Sequence, residues 1–228
     1  MSHSMSRHAV VTGASSGIGA AITDRLLREG WRVTGISRGD PGRSEPGYAH
    51  LAVDLMDRAA LAHAIDGLAP DALVHAAGIM RGGTIGELDP EASRQLWALH
   101  VETAEFLANA LAPRLPDGGR ILLVGSRSSA GGLGRSQYGA TKAALVAMAR
   151  SWALELAPRG ITVNVVAPAA TDTPMLRDPA RAGTPTRLPP IGRLIQPEEV
   201  AAMAAFLLGP EAGAITGQQI IICGGSSL

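Results

Sequence analysis

The chain has 228 residues, 46% of them hydrophobic and 3% aromatic, enough for one domain whose core is packed mainly by aliphatic side chains and alanine. Twenty basic residues balance twenty acidic ones, which argues against a polyanion-binding surface and against nucleic acid as a partner. The lone cysteine, Cys223, excludes an internal disulfide and a cysteine-rich metal site, and is expected to serve as buried packing.

In chain order, residues 1–7 lack a signal-peptide core and read as a disordered leader to a domain spanning 8–228. No apolar run is long enough to span a bilayer, so a cytoplasmic protein without membrane attachment is expected. HAVVTG (8–13) reads as a strand ending in glycine, and AAITDRLLREG (20–30) as a helix with Ile22, Leu26 and Leu27 on one face and a stop at Gly30. Further strands are predicted at 31–37, 50–55, within 71–78, and at 120–126, 161–168 and 218–225; helices at 57–68, 90–113, 137–157 and 197–208. Near-continuous apolar strands alternating with helices predict an α/β domain, a doubly wound seven-stranded parallel sheet with helices on both faces. The segment 174–196 is rich in Pro, Arg and Gly and has no clear periodicity. In this architecture it is a candidate lid.

TGASSGIG (12–19) follows the first strand and opens the first helix, with Gly13, Gly17 and Gly19 permitting a tight turn and close approach of a pyrophosphate to the helix N-terminus. An acidic residue at the end of the second strand would grip a ribose 2′-hydroxyl; here stand Ser37 and Arg38, which suit a 2′-phosphate. NADP(H) is therefore expected over NAD(H), the alternative being that Arg38 only begins a solvated loop. Lys142 is the single lysine beside nineteen arginines, and Tyr138, one of two tyrosines, precedes it by four residues on the same helix face. A nearby ammonium favours phenolate, so the pair can exchange a proton with an alcohol or carbonyl oxygen, and the lysine can also hold ribose hydroxyls. Ser126 ends the fifth strand, where a hydroxyl can steady a substrate oxygen; Ser128 and Ser129 compete for that role.

Together these residues resemble the short-chain dehydrogenase/reductase family in its single-domain branch, over about 8–225. The resemblance implies that Ser15, Ser16 and Ile18 belong to the cofactor loop with the three glycines, and that VDL (53–55) brings Asp54, with Leu55, to adenine. It implies that Ala76, Ala77 and Gly78 of HAAG line the cofactor, and that Pro168, Ala169, Thr171 and Thr173 hold the nicotinamide. Ser126, Tyr138 and Lys142 match the catalytic set, with Tyr138 and Lys142 also touching cofactor. The family commonly adds an asparagine to a proton relay; His100 stands in its register, either completing the relay or bonded to backbone. His75 replaces another asparagine and is expected to support the sheet.

The implied activity is interconversion of a carbonyl and a secondary alcohol, similar to 3-oxoacyl-carrier-protein reductases and related ketoreductases, with no metal. The alternative is a cofactor-binding sensor or scaffold of the same fold with little turnover. Arg81, Arg127, Arg135 and Arg177, on loops near the crevice, suggest a polar or anionic substrate. Family members pair the helices at 90–113 and 137–157, which implies a homodimer or homotetramer.

Overall fold

The structure is a computed structural model that describes residues 6–178, 181 and 187–228. Seven strands form one sheet: β1 (His8–Thr12), β2 (Arg32–Ser37), β3 (Tyr48–Ala52), β4 (Ala72–His75), β5 (Arg120–Val124), β6 (Thr162–Pro168) and β7 (Gln219–Ile222). Their order is β3-β2-β1-β4-β5-β6-β7, and every pairing is parallel. The chain therefore winds outward one way from β1 and the other way from β4. The crevice outside the strand ends lies between them, at Thr12 and His75.

Period-two alternation sends neighbouring strand residues to opposite cores. Ala9 and Val11 face Ile22 and Leu26 of α1 (Gly17–Arg28) and Val200 and Leu207 of α6 (Pro197–Leu208). Val10 and Leu73 face Leu107 and Leu111 of α4 (Thr103–Leu111) and Leu145 of α5 (Ser136–Leu156). Both faces are thus covered, as the apolar strands require. Arg7 is already tied to the fold, its guanidinium 4.0 Å above the Trp31 ring and bonded to the Leu208 carbonyl.

Three elements differ from expectation. β3 spans Tyr48–Ala52 rather than 50–55, because it is an edge strand in register with β2 from Val33–Tyr48 onward; Asp54 instead turns the chain by accepting the Met56 N–H. The helix predicted over 57–68 is the shorter α2 (Arg58–Ala64), started by Asp57, whose carboxylate accepts the Ala60 N–H. The helix predicted over 90–113 is divided into α3 (Pro90–Trp97) and α4 by a π-helical turn over Ala98–Glu102. Thr103 marks that turn, with its backbone N–H and its hydroxyl both donating to the Ala98 carbonyl. Of the expected lid, Pro174–Arg177 forms a 3₁₀ turn, while 179, 180 and 182–186 lie outside the described residues.

Candidate active site

The strand ends β1, β4, β5 and β6 open into a cavity of about 740 Å³. One wall is the start of α1. Ser16 at its N-cap makes no side-chain capping bond and the first turn holds no acidic residue, so the helix offers unpaired N–H groups and its positive dipole end to the cavity. Glycine is a steric requirement here: a Cβ on Gly19 would sit 2.2 Å from the Gly13 carbonyl oxygen, and one on Gly13, whose φ is +69°, 2.9 Å from the Ala77 backbone. Thr12 fixes the opposite wall, its hydroxyl oxygen accepting the N–H groups of Ala76 and Ala77 at 3.1 Å each.

The facing wall is built by β5 and α5. Ser126 is buried, its oxygen accepting the Ser128 N–H, and it lines the cavity together with Tyr138. Its two competitors are engaged elsewhere: Ser128 Oγ accepts from Arg135, and Ser129 Oγ accepts from Gln219. Close approach of α5 to this turn depends on Gly139, where a Cβ would lie 2.6 Å from the Ser128 carbonyl oxygen. Burial raises the Tyr138 phenol above its ordinary value, opposed by the neighbouring Ser126 hydroxyl and by the charges of Arg135 and Arg181.

Lys142 is 4% exposed, with its Nζ donating to the Val124 carbonyl at 2.8 Å and standing 5.8 Å from the Tyr138 ring centroid. Burial pushes its ammonium down to about 7. Gly78 leaves room for this side chain: a Cβ there would lie 3.6 Å from Lys142 Nζ and 3.1 Å from His100 Nε2.

The protonation of His100 follows from its partners. The Ile79 N–H can only donate, so Nε2 accepts it at 3.1 Å. Thr141 spends its hydroxyl proton on the Tyr138 carbonyl at 2.8 Å, so its oxygen accepts from the Nδ1–H of His100 at 2.9 Å. His100 is therefore a neutral, fully buried imidazole with the proton on Nδ1, its ring edge-on to Tyr138 at 5.6 Å. Burial, then the Lys142 charge, holds its pKa well below the ordinary value. Both nitrogens are committed, one to the β4 loop and one to α5, which leaves neither to exchange a proton with Lys142. His75 is the sheet support expected: Nε2–H donates to Leu99 O in the π turn and Nδ1 accepts from Thr12, with burial lowering its pKa to about 3.

The cavity is lined by Gly13, Ser16, Gly17, Ile18 and Gly19 on one side, by Ala76, Ala77 and Gly78, and by Pro168, Ala169, Thr171 and Thr173 on the far side. Ala169 is held without backbone strain, since no described non-glycine residue has a positive φ. Ser15, Ser37, Arg38, Asp54 and Leu55 lie outside the cavity proper. Arg38 is exposed just past β2, and the Ser37 hydroxyl donates to Gly39 O while accepting from His50. Cys223 is half-buried rather than buried; its thiol is lowered by a hydrogen bond from Ser227. Thr12, Thr141 and Gly139 were not singled out in the sequence. Only their neighbours in the glycine loop and in YGATK drew attention.

Hydroxyls able to pass a proton, set opposite a helix end able to accept a dinucleotide, suit the oxidoreductases of doubly wound α/β folds. Comparison makes the class definite. The family model described as enoyl-(acyl carrier protein) reductase matches residues 13–227, and the chain belongs to the short-chain dehydrogenase/reductase family. It is 36% identical to the cyclic-di-GMP-binding biofilm dispersal mediator protein of Escherichia coli, with 94% of each chain covered. It is 37% identical to 2,3-dihydro-2,3-dihydroxybenzoate dehydrogenase of the same organism, with 96% of each covered. Identity to the 3-oxoacyl-[acyl-carrier-protein] reductase of Salmonella typhimurium is 33%, covering 95% of this chain and 96% of that one. A blue fluorescent protein from a metagenomic library, solved in complex with NADPH, superposes with a TM-score of 0.85 at 31% identity, covering 97% of this chain and 98% of that chain. No helix of the described residues is long and apolar enough to cross a membrane.

Proposed function

We propose that the protein interconverts a small-molecule carbonyl and secondary alcohol with NADP(H). The observation that carries this reading is that Ser126, Tyr138 and buried Lys142 line one cavity with the uncapped start of α1. The residues present fit the cofactor: Gly13, Ser15, Ser16, Gly17, Ile18 and Gly19 accept its pyrophosphate, and Ala76, Ala77 and Gly78 border it. Pro168, Ala169, Thr171 and Thr173 hold the nicotinamide end, Asp54 and Leu55 lie on the adenine side, and Ser37 with Arg38 accept a 2′-phosphate. When bound, the cofactor would supply or accept the hydride exchanged with the substrate carbon. Ser126 orients the substrate oxygen, and Tyr138 donates the proton in reduction, a role suited to a phenol held above its ordinary pKa. Lys142 holds the ribose hydroxyls and, kept charged by those acceptors, favours phenolate when the reaction runs as oxidation. His100 is a positioning residue, tying Ile79 and Thr141 across the site.

The chain is proposed to work as a homodimer or homotetramer. Leu154 on α5 is 79% exposed, an apolar side chain suited to a subunit contact, and light scattering would measure the assembly. Cofactor oxidation with a carbonyl panel, run beside Tyr138→Phe, tests the activity itself. A cofactor-binding sensor with little turnover is the second reading, favoured by the commitment of both His100 nitrogens and by likeness to a relative named for binding cyclic-di-GMP. Tight NADPH binding without Tyr138-dependent turnover would establish it instead.

A further inference from the structure

The chain as a whole is neutral, but its cavity is not. Arg127, Arg135, Arg181 and Arg187 join Lys142 in its wall, and no aspartate or glutamate lines it among the described residues. Among the ion pairs beside it, Asp172 pairs with Arg177 at 2.9 Å and Asp178 with Arg81 at 3.3 Å. Two of the four loop arginines noticed in the sequence thus belong to ion pairs, while Arg127 and Arg135 face the cavity.

Arg135 is held in place rather than left to wander. Its backbone bridges to Gly83, with the Gly83 N–H donating to Gly134 O at 3.1 Å. Its stem passes over Gly132, where a Cβ would lie 3.4 Å from Arg135 Cδ, and its Nη1 donates to Ser128 Oγ at 3.1 Å. It precedes Tyr138 by three residues, on the turn that begins α5. Its guanidinium is pushed below its ordinary range by burial, then by the charges of Arg181 and Arg127. A guanidinium does not shed its proton in a protein, so an anion placed between Arg127 and Arg135 would be favoured in this wall. The cofactor's pyrophosphate is served by α1 above β1. β5 is two strands away, roughly 10 Å, so Arg127 and Arg135 lie on the substrate side.

We infer that the substrate carries an anionic group, a carboxylate or a phosphate ester, held by Arg135 with Arg127 beside the reacting hydroxyls; the inference rests on the oxidoreductase reading above. The test compares kcat/KM for matched probes: pyruvate, acetoacetate and levulinate, each against its methyl ester, and dihydroxyacetone phosphate against dihydroxyacetone. At least one anion is expected to exceed its neutral partner by about tenfold or more, and Arg135→Gln to remove about tenfold of that preference, with Arg135→Lys between. The arm that shows the preference identifies carboxylate or phosphate. Neutral partners as good as the anions in every pair would overturn the inference. So would a preference unmoved in both Arg135→Gln and Arg127→Gln. If no probe shows Tyr138-dependent turnover, the oxidoreductase reading fails separately. Calorimetric titration of the NADPH-loaded protein with the same anions then decides the site: saturable binding weakened by Arg135→Gln sustains it, and no binding removes it.

Discussion

Burying the Lys142 ammonium costs the fold stability, and replacing it by methionine measures the cost. An ammonium whose pKa falls from 10.5 to about 7 on burial is disfavoured by about 5 kcal/mol at pH values below 7. The side chain is 4% exposed, so solvent screens little of this. Lys142→Met removes the charge but leaves the Val124 carbonyl without its donor, a loss of about 1–3 kcal/mol. The variant should therefore be more stable than the parent by about 2–4 kcal/mol near pH 6.5, while losing turnover. The sign follows from proton counts. Between pH 7 and 10.5 the unfolded lysine is protonated and the folded one is not, so parent stability rises with pH by about 1.4 kcal/mol per unit. The variant's advantage should shrink by about 3 kcal/mol between pH 7 and pH 9.5, approaching zero or reversing. Urea denaturation of both proteins across this range, at fixed protein concentration, reads the difference directly. A variant less stable than the parent at every pH, by a constant amount, would show that the buried ammonium is not the strained group argued here.

Three further outcomes follow from the same geometry. Gly78→Ala places a Cβ 3.1 Å from His100 Nε2; because the Gly78 backbone needs no positive φ, the fold should survive at a cost of about 1–2 kcal/mol while kcat drops about tenfold, checked by thermal melting and steady-state kinetics. Arg38→Ala should raise KM for NADP(H) about tenfold or more and leave KM for NAD(H) nearly unchanged, a difference that shrinks at high salt. NADPH binding near pH 8 should take up a fraction of a proton as ribose acceptors recharge Lys142; calorimetry in buffers of different ionisation enthalpy measures this, and Lys142→Met should abolish it.

The parallel sheet was legible because both its faces are covered: the apolar runs at β1, β5 and β6 are buried along nearly their whole length, leaving little choice of element or orientation. β3 was misplaced for the opposite reason. As an edge strand it mixes exposed and half-buried residues without regular alternation, so its limits are set by register with β2 rather than by its own pattern. The π turn was hidden because Ala98–Glu102 has the composition of ordinary helix. It is tied to the sheet by a tertiary bond, from His75 to Leu99 O, that no local pattern reveals.

The site divides along the same line. YGATK and Ser126 could be placed at the cavity from the sequence because their positions depend on spacing along one helix and on one strand end. His100 was not, since its role depends on which group meets each nitrogen, and those groups come from the β4 loop and α5. Once Ile79 and Thr141 are seen, the imidazole is fixed as a neutral brace: Thr141 passes the constraint to the Tyr138 carbonyl, and Ile79 passes it to the residue beside Gly78. The π turn then has a physical purpose. It frees Leu99 O for His75 and brings His100 to the two bonds it makes, so that one irregular turn joins β1, β4 and α5 behind Tyr138.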